Sequence, residues 1–238
     1  MNGDSVAERL ALVLERIRAA ACAAGRSDGS VGLVAVSKLQ SAAAIRAAYA
    51  AGQRAFGESY VQEALQKQEE LRDLGIEWHF IGRIQANKTR AIAAHFEWVH
   101  ALADPHHARR LSDQRPPGAP PLNVCLQVNL DAERTKGGVP PEALPDLLAA
   151  CVGLPGIRVA GLMTLPAPEP DRAEQRRPFR LLRELRDRLA TPELPLDCLS
   201  MGMSDDLEAA VAEGATLVRV GTAVFGPRPY NREPVPRA

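Results

Sequence analysis

The 238-residue sequence predicts a single (β/α)8 barrel of the TIM type with one added N-terminal helix. Three observations carry this. Runs rich in Val, Ile, Leu and Phe recur eight times, and segments of helical periodicity separate them. Each strand-helix unit takes roughly 25 residues, a size that fits eight units closing into a barrel. Regular alternation also implies right-handed crossovers and therefore parallel strands. An open doubly wound sheet is the alternative, because several of the runs are short.

Val6, Leu10, Val13, Leu14 and Ile17 repeat at helical spacing between charges, so residues 4–24 form an amphipathic helix ahead of the barrel. The strand runs follow at 31–36 (VGLVAV), 54–56 (RAF), 78–81 (WHFI), 97–101 (EWVHA), 122–128 (LNVCLQV), 157–162 (IRVAGL), 196–199 (LDCL) and 217–220 (LVRV). Helical periodicity fills 41–51, 60–73, 87–95, 105–112, 140–152, 171–190 and 204–213, several of them entered through Ser, Asp or Pro. The Pro-rich stretches 113–121 and 164–170 read as loops, and 227–238 (PRPYNREPVPRA) as exposed chain. One domain is expected over residues 1–230 with an exposed tail at 231–238, because too little sequence follows the eighth strand to form a second domain.

The formal net charge is zero, which gives no global reason to expect nucleic acid or an anionic membrane as partner. An anion would have to be held by local geometry. Charged residues interrupt the N-terminal stretch where a secretory segment would lie, and no later run reaches a membrane span, so a cytoplasmic location is expected. Cys22, Cys125, Cys151 and Cys198 are far apart and unpaired in pattern, as small buried hydrophobes are in a reducing compartment. No zinc, calcium or P-loop spacing occurs, and adjacent His106 and His107 point to different helix faces. With no exposed helix stripe or long edge strand, a monomer is expected.

In such a barrel the site lies at the C-terminal ends of the strands. Of 29 basic residues only four are lysines. Lys67 falls on a polar helical face (QKQEE), Lys88 at a helix start and Lys136 in a charged loop, whereas Lys38 follows VGLVAVS directly. Two readings fit Lys38: a strand-end lysine reaching to water, or an amine beside low-dielectric walls, as a Schiff-base lysine requires. At the other end, LSMGMSDD (199–206) and VRVGTAVFG (218–226) set Gly and hydroxyl residues at strand-to-helix turns. The loops after strands 7 and 8 commonly cradle phosphate, and the first strand closes beside the eighth. Gly202 and Gly221 serve equally as plain turn residues, and Ser204 with Asp205 and Asp206 reads as helix capping. Arg219 interrupts a buried strand and needs an acceptor, for which a pyridine nitrogen would serve. His79, inside WHFIG, fits a backbone-bonded core histidine better than a ligand-facing one, and it is kept beside that reading as a candidate cofactor contact.

These blocks closely resemble the YggS/PROSC family of pyridoxal phosphate homeostasis proteins. The resemblance runs from about residue 5 to 230 through AVSK (35–38), FGESYVQEA (56–64), WHFIGRIQANK (78–88), GLMTLPAP (161–168), SMGMSDD (200–206) and VRVGTAVFG (218–226). It implies the fold of the alanine racemase N-terminal domain, with pyridoxal 5′-phosphate (PLP) as a Schiff base on Lys38. It also implies that Arg219 faces the pyridine nitrogen and that Ser200, Gly202, Met203, Gly221 and Thr222 hold the phosphate. Ser59 stands where the family carries an asparagine near the ring hydroxyl. A serine expected after Lys136 is replaced by Gly137 or Gly138.

The family implies a non-catalytic PLP carrier in vitamin B6 homeostasis, with apo PLP-dependent enzymes as possible recipients. A PLP-dependent racemase is the alternative. It needs a second acid/base group besides the lysine, and of Tyr49, Tyr60 and Tyr230 only Tyr60 follows a strand. A phosphate-binding barrel enzyme without PLP is the third class, with Lys38 as a charge clamp.

Overall fold

The computed structural model describes residues 5–131 and 137–227. Parallel strands close into a barrel in sequence order: β1 (Gly32–Val36), β2 (Ala55–Glu58), β3 (Glu77–Phe80), β4 (Trp98–Leu102), β5 (Leu122–Gln127), β6 (Ile157–Met163), β7 (Cys198–Ser200) and β8 (Leu217–Val220). Closure is made by β1 on β8, with Gly32 opposite Leu217 and Val34 opposite Arg219, which rules out the open sheet. The helices are α1 (Val6–Ala23), α2 (Ala42–Ala50), α3 (Val61–Glu70), α4 (Thr89–His95), α5 (Pro105–Asp113), α6 (Leu144–Cys151), α7 (Arg172–Leu189), α8 (Leu207–Ala212) and α9 (Thr222–Phe225). The expected tail at 231–238, Tyr230 and Lys136 lie outside the described residues.

Local chemistry sets the helix starts. Ser5 and Glu8 cap α1 reciprocally, the Ser5 hydroxyl accepting from the Glu8 N–H while the Glu8 carboxylate accepts from the Ser5 N–H. Ser41 caps α2 through the Ala44 N–H, and Asp104 caps α5 ahead of Pro105. Where the sequence predicted a helix over 204–213, α8 starts only at Leu207. Ser204 is not its cap; the Asp206 carboxylate instead accepts the Met203 N–H at 2.5 Å, folding the loop on itself. The short α9 begins at the strand-to-helix turn expected in VRVGTAVFG.

Side chains alternate between two separate cores. Leu33, Phe56, Phe80, Val99, Leu126, Leu162, Leu199 and Val220 point outward into the layer shared with the helices. The inward set is small or polar: Cys125, Ala160, Met163 and Cys198 form a thin interior cluster with Trp98, Ala101 and Leu217 around it. His79, His100, Ser200 and Arg219 are also buried, and they are linked to one another across the strands. α1 packs on α8, α9 and α2, outside the β8–β1 seam. Arg9 fixes it there by donating to the Val224 and Phe225 carbonyls at 3.0 and 3.1 Å. All four cysteines are free thiols. Among the described residues no helix is long and apolar enough to cross a membrane, and no cluster of potential metal ligands occurs.

Gly82 follows β3 and lies against the turn after β2 so closely that a Cβ there would sit 2.2 Å from the Ser59 carbonyl oxygen. Backbone cannot yield as a side-chain tip can. Gly82→Ala is expected to cost about 1–3 kcal/mol in denaturant unfolding; an unchanged midpoint would show that the two turns separate freely.

Candidate functional site

A cavity of about 540 Å³ opens at the C-terminal strand ends, within the roughly 300–1,000 Å³ usual for small-molecule sites. Lys38, beyond β1, and Arg219, inside β8, both line it. Ser59 lines it from the turn after β2, Met203 from the loop after β7, and Gly221 and Thr222 from the turn into α9. Apolar walls come from Val36, Ile81, Met163 and Leu165.

Three residues proposed from sequence lie elsewhere. Ser200 is fully buried and does not line the cavity: its hydroxyl bonds to His100 Nδ1 and accepts from Arg219 Nη1, both at 2.7 Å. His79 is likewise interior, with Nδ1 2.8 Å from His100 Nε2 and Nε2 2.7 Å from Glu77. Its ring is stacked on Trp98, with centroids 5.5 Å apart. Both nitrogens bond to side chains, so it is a core histidine but not a backbone-bonded one. Gly202 shapes the wall from behind. It has φ +96°, its carbonyl accepts the Arg219 N–H at 2.9 Å, and a Cβ there would come within 2.6 Å of Ala210.

Arg219 is 5% exposed, and its Nη1 and Nη2 donate to Ser200 Oγ and the Thr164 carbonyl. Among the described residues no carboxylate pairs with it. Burial lowers its pKa to about 10, so it remains a cation at neutral pH. A buried guanidinium that faces a cavity and has no carboxylate in ion-pair contact, with Asp206 acting on it only electrostatically, favours a ligand that brings an acceptor.

Lys67 requires a correction. It does not lie on a solvated face; at 6% exposure it is buried, and its ammonium donates to the Ser37 carbonyl at 2.8 Å, Glu58 Oε1 at 2.8 Å and Glu63 Oε1 at 2.6 Å. The same Glu63 oxygen accepts the Leu39 N–H at 2.5 Å, and Leu39 holds the left-handed φ of 62°. Residues on both sides of Lys38 are thus fixed by one buried ion cluster. Burial raises the Glu58 carboxyl, while Lys67 and the Ser37 hydroxyl pull it back down. Glu58 Oε2 has no partner among the described residues.

The sequence reading also missed Ser204, Asp205 and Arg16 as cavity residues. In SDD any of three residues reads as a cap, and that masked Ser204. Arg16 carries no signal at all: it is one basic residue on an amphipathic helix, brought to the site because α1 packs on α8, where it pairs with Glu208 and donates to the Ser204 carbonyl at 3.0 Å.

Comparison with known proteins places this arrangement. The model of the alanine racemase N-terminal domain matches residues 13–229. A pyridoxal phosphate homeostasis protein from Pseudomonas aeruginosa is 59% identical over 228 residues, covering 96% of this chain and 98% of its own. The chain belongs to the pyridoxal phosphate homeostasis protein family. Another member of that family, from Escherichia coli, is 46% identical over 236 residues, 97% of this chain and all of its own. The structure of PipY from Synechococcus elongatus with PLP bound superposes with TM-score 0.81 at 41% identity, covering 93% of this chain and all of PipY. An alanine racemase from Corynebacterium glutamicum, 23% identical with TM-score 0.64, shares the fold; this chain covers 63% of it. The homeostasis family thus takes the racemase barrel in a shorter chain.

Two predictions follow from the buried charges. Lys67→Met strands Glu58 and is expected to lower the unfolding free energy by about 3–5 kcal/mol, with Lys67→Met/Glu58→Gln recovering much of it; equal losses in both would show that the cluster is not an ion pair. Burial also depresses the pKa of His79 and, more strongly, of His100 below 6.5. The unfolded chain therefore binds more protons than the folded one below that value, so stability falls as pH drops through it, on the order of 1 kcal/mol per pH unit for each histidine. Thermal midpoints that stay flat between about pH 7 and about pH 5 would contradict neutral buried histidines.

Proposed function

We propose that this chain carries pyridoxal 5′-phosphate as a Schiff base on Lys38 and serves vitamin B6 homeostasis by reversible loading and release, with no catalysis of its own. The observation that carries the proposal is that Lys38 and the buried, carboxylate-free Arg219 line one cavity of suitable size. When bound, the cofactor supplies an electrophilic carbon and an electron-withdrawing ring, while the protein supplies binding and electrostatics.

The chain's own residues divide that work. The clamp of Lys67, Glu58 and Glu63 holds the backbone on either side of Lys38 and so aims its amine. Arg219 donates toward a ring nitrogen and, being permanently charged, keeps that nitrogen unprotonated. The turn into α9, where Gly221, Thr222 and Ala223 line the cavity, presents main-chain N–H groups and a hydroxyl to a phosphate, joined by Met203 and Ser204 across the loop. Ser59, lining the same cavity where the family carries an asparagine, is shorter and would meet the ring hydroxyl through a water.

The lining also supports carriage over racemisation. Racemisation needs a second proton-transfer group facing Lys38, and among the described lining residues there is no tyrosine. Tyr60, the candidate from sequence, is 56% exposed and lines a neighbouring cavity with Gly82 and Gln85. A shallow, open cofactor mouth also suits handing PLP to apo-enzymes from a monomer in the cytoplasm, a compartment in keeping with the four free thiols.

Lys38→Ala should abolish covalent PLP and its visible absorbance while leaving the thermal midpoint within a few degrees of wild type. Retained absorbance in a folded Lys38→Ala protein would sink the assignment.

A further inference from the structure

The polar residues inside the barrel form an unbroken chain that leaves the cofactor cavity and ends at the opposite face. Arg219 Nη1 bonds to Ser200 Oγ at 2.7 Å, Ser200 Oγ to His100 Nδ1 at 2.7 Å, His100 Nε2 to His79 Nδ1 at 2.8 Å, and His79 Nε2 to Glu77 Oε1 at 2.7 Å. Glu77 opens β3, at the N-terminal face of the barrel, and its side chain is 49% exposed. The members come from β8, β7, β4 and β3, so the chain crosses the barrel interior and does not follow one strand.

The chemistry of the two ends fixes the direction of every bond. A guanidinium only donates and an ionised carboxylate only accepts. His79 lowers the Glu77 carboxyl below its ordinary value, and burial keeps both imidazoles neutral. His79 must therefore donate from Nε2 to Glu77, which leaves Nδ1 as an acceptor. His100 must donate from Nε2 to His79, which leaves its Nδ1 to accept the Ser200 hydroxyl proton. Ser200 then offers a lone pair to Arg219. No member can turn round while the ends remain as they are, and bonds aligned head to tail strengthen one another.

We propose that Glu77, remote from the cofactor cavity, is a positioning residue that fixes the Arg219 guanidinium through the one-way chain His79, His100 and Ser200. This rests on the PLP reading, since it is the cofactor ring that Arg219 would meet. Glu77 supplies the terminal acceptor on which the direction of the whole chain depends. The Trp98 ring stacks on His79 and holds the imidazole in register with the carboxylate it meets.

The test uses the full chain in two states. In PLP-free protein, ring nitrogen-15 NMR is expected to show His79 and His100 both neutral and both protonated on Nε2; a proton on Nδ1 of either overturns the chain. In PLP-loaded protein, Glu77→Leu is expected to release PLP about tenfold faster, the lower end of what loss of a supporting partner costs at a ligand site, and to shift the visible band as the bond to the ring weakens. Glu77→Gln, whose carbonyl can still accept, should stay close to wild type. Because Glu77 is half exposed, both variants should fold, and matching thermal midpoints would confirm it. Loaded wild type together with a Glu77→Leu protein of unchanged release and spectrum would overturn this inference alone. Wild-type protein that takes up no PLP would overturn the cofactor reading and this one with it.

Discussion

Arg219 puts a permanent positive charge inside a barrel whose apolar interior residues are two thiols, two alanines, a leucine, a methionine and a tryptophan. Such a charge is tolerated only if its donors are satisfied and its field is compensated. Two donors end on Ser200 and the Thr164 carbonyl, and the polar chain behind Ser200 runs on to a carboxylate at the far face. The cost of burying the guanidinium explains why two histidines occupy positions that other strands give to Cys or Ala. It also explains why the cavity suits a ligand with an acceptor atom.

A second buried charge cluster complements the first. Lys67 reaches under the end of β1 and joins the Ser37 carbonyl to Glu58 and Glu63, and Glu63 in turn holds Leu39 in a left-handed conformation. Lys38 is therefore presented by a turn that is strained and pinned from below. One cluster fixes the backbone on either side of Lys38 and the other bonds the Arg219 guanidinium. The two meet where β1 closes on β8, so closure of the barrel itself brings the functional groups together.

The sequence showed the barrel because strand and helix periodicity are local properties. Strand positions fall within a few residues of those expected, even for β7, which is only three residues long. It showed Lys38 because a lysine ending an apolar run is conspicuous in a chain that otherwise prefers arginine, and Arg219 because a charge inside LVRV is costly. Lys67 was misread for a physical reason. QKQEE is polar on every side, and only the placement of Glu58, nine residues earlier on a different element, turns Lys67 inward. The direction of the Ser200 hydroxyl is not legible, because a hydroxyl at a strand end can face the mouth or the interior, and strand parity in a three-residue strand is not readable from sequence. The bond between His79 and His100 joins two strands, each with an unremarkable core histidine.

The Corynebacterium glutamicum alanine racemase shares the barrel, so the fold by itself assigns neither racemisation nor carriage, and the residues lining the cavity carry the distinction. Leu165, 41% exposed, stands at its mouth, and Asp205 is the only carboxylate among the described lining residues. The account depends most directly on the bond at Lys38. Borohydride reduction of PLP-loaded protein followed by peptide mass mapping should place a single reduced adduct on the peptide containing Lys38. An adduct on the Lys67, Lys88 or Lys136 peptide instead, or none from a protein saturated with PLP, would contradict it.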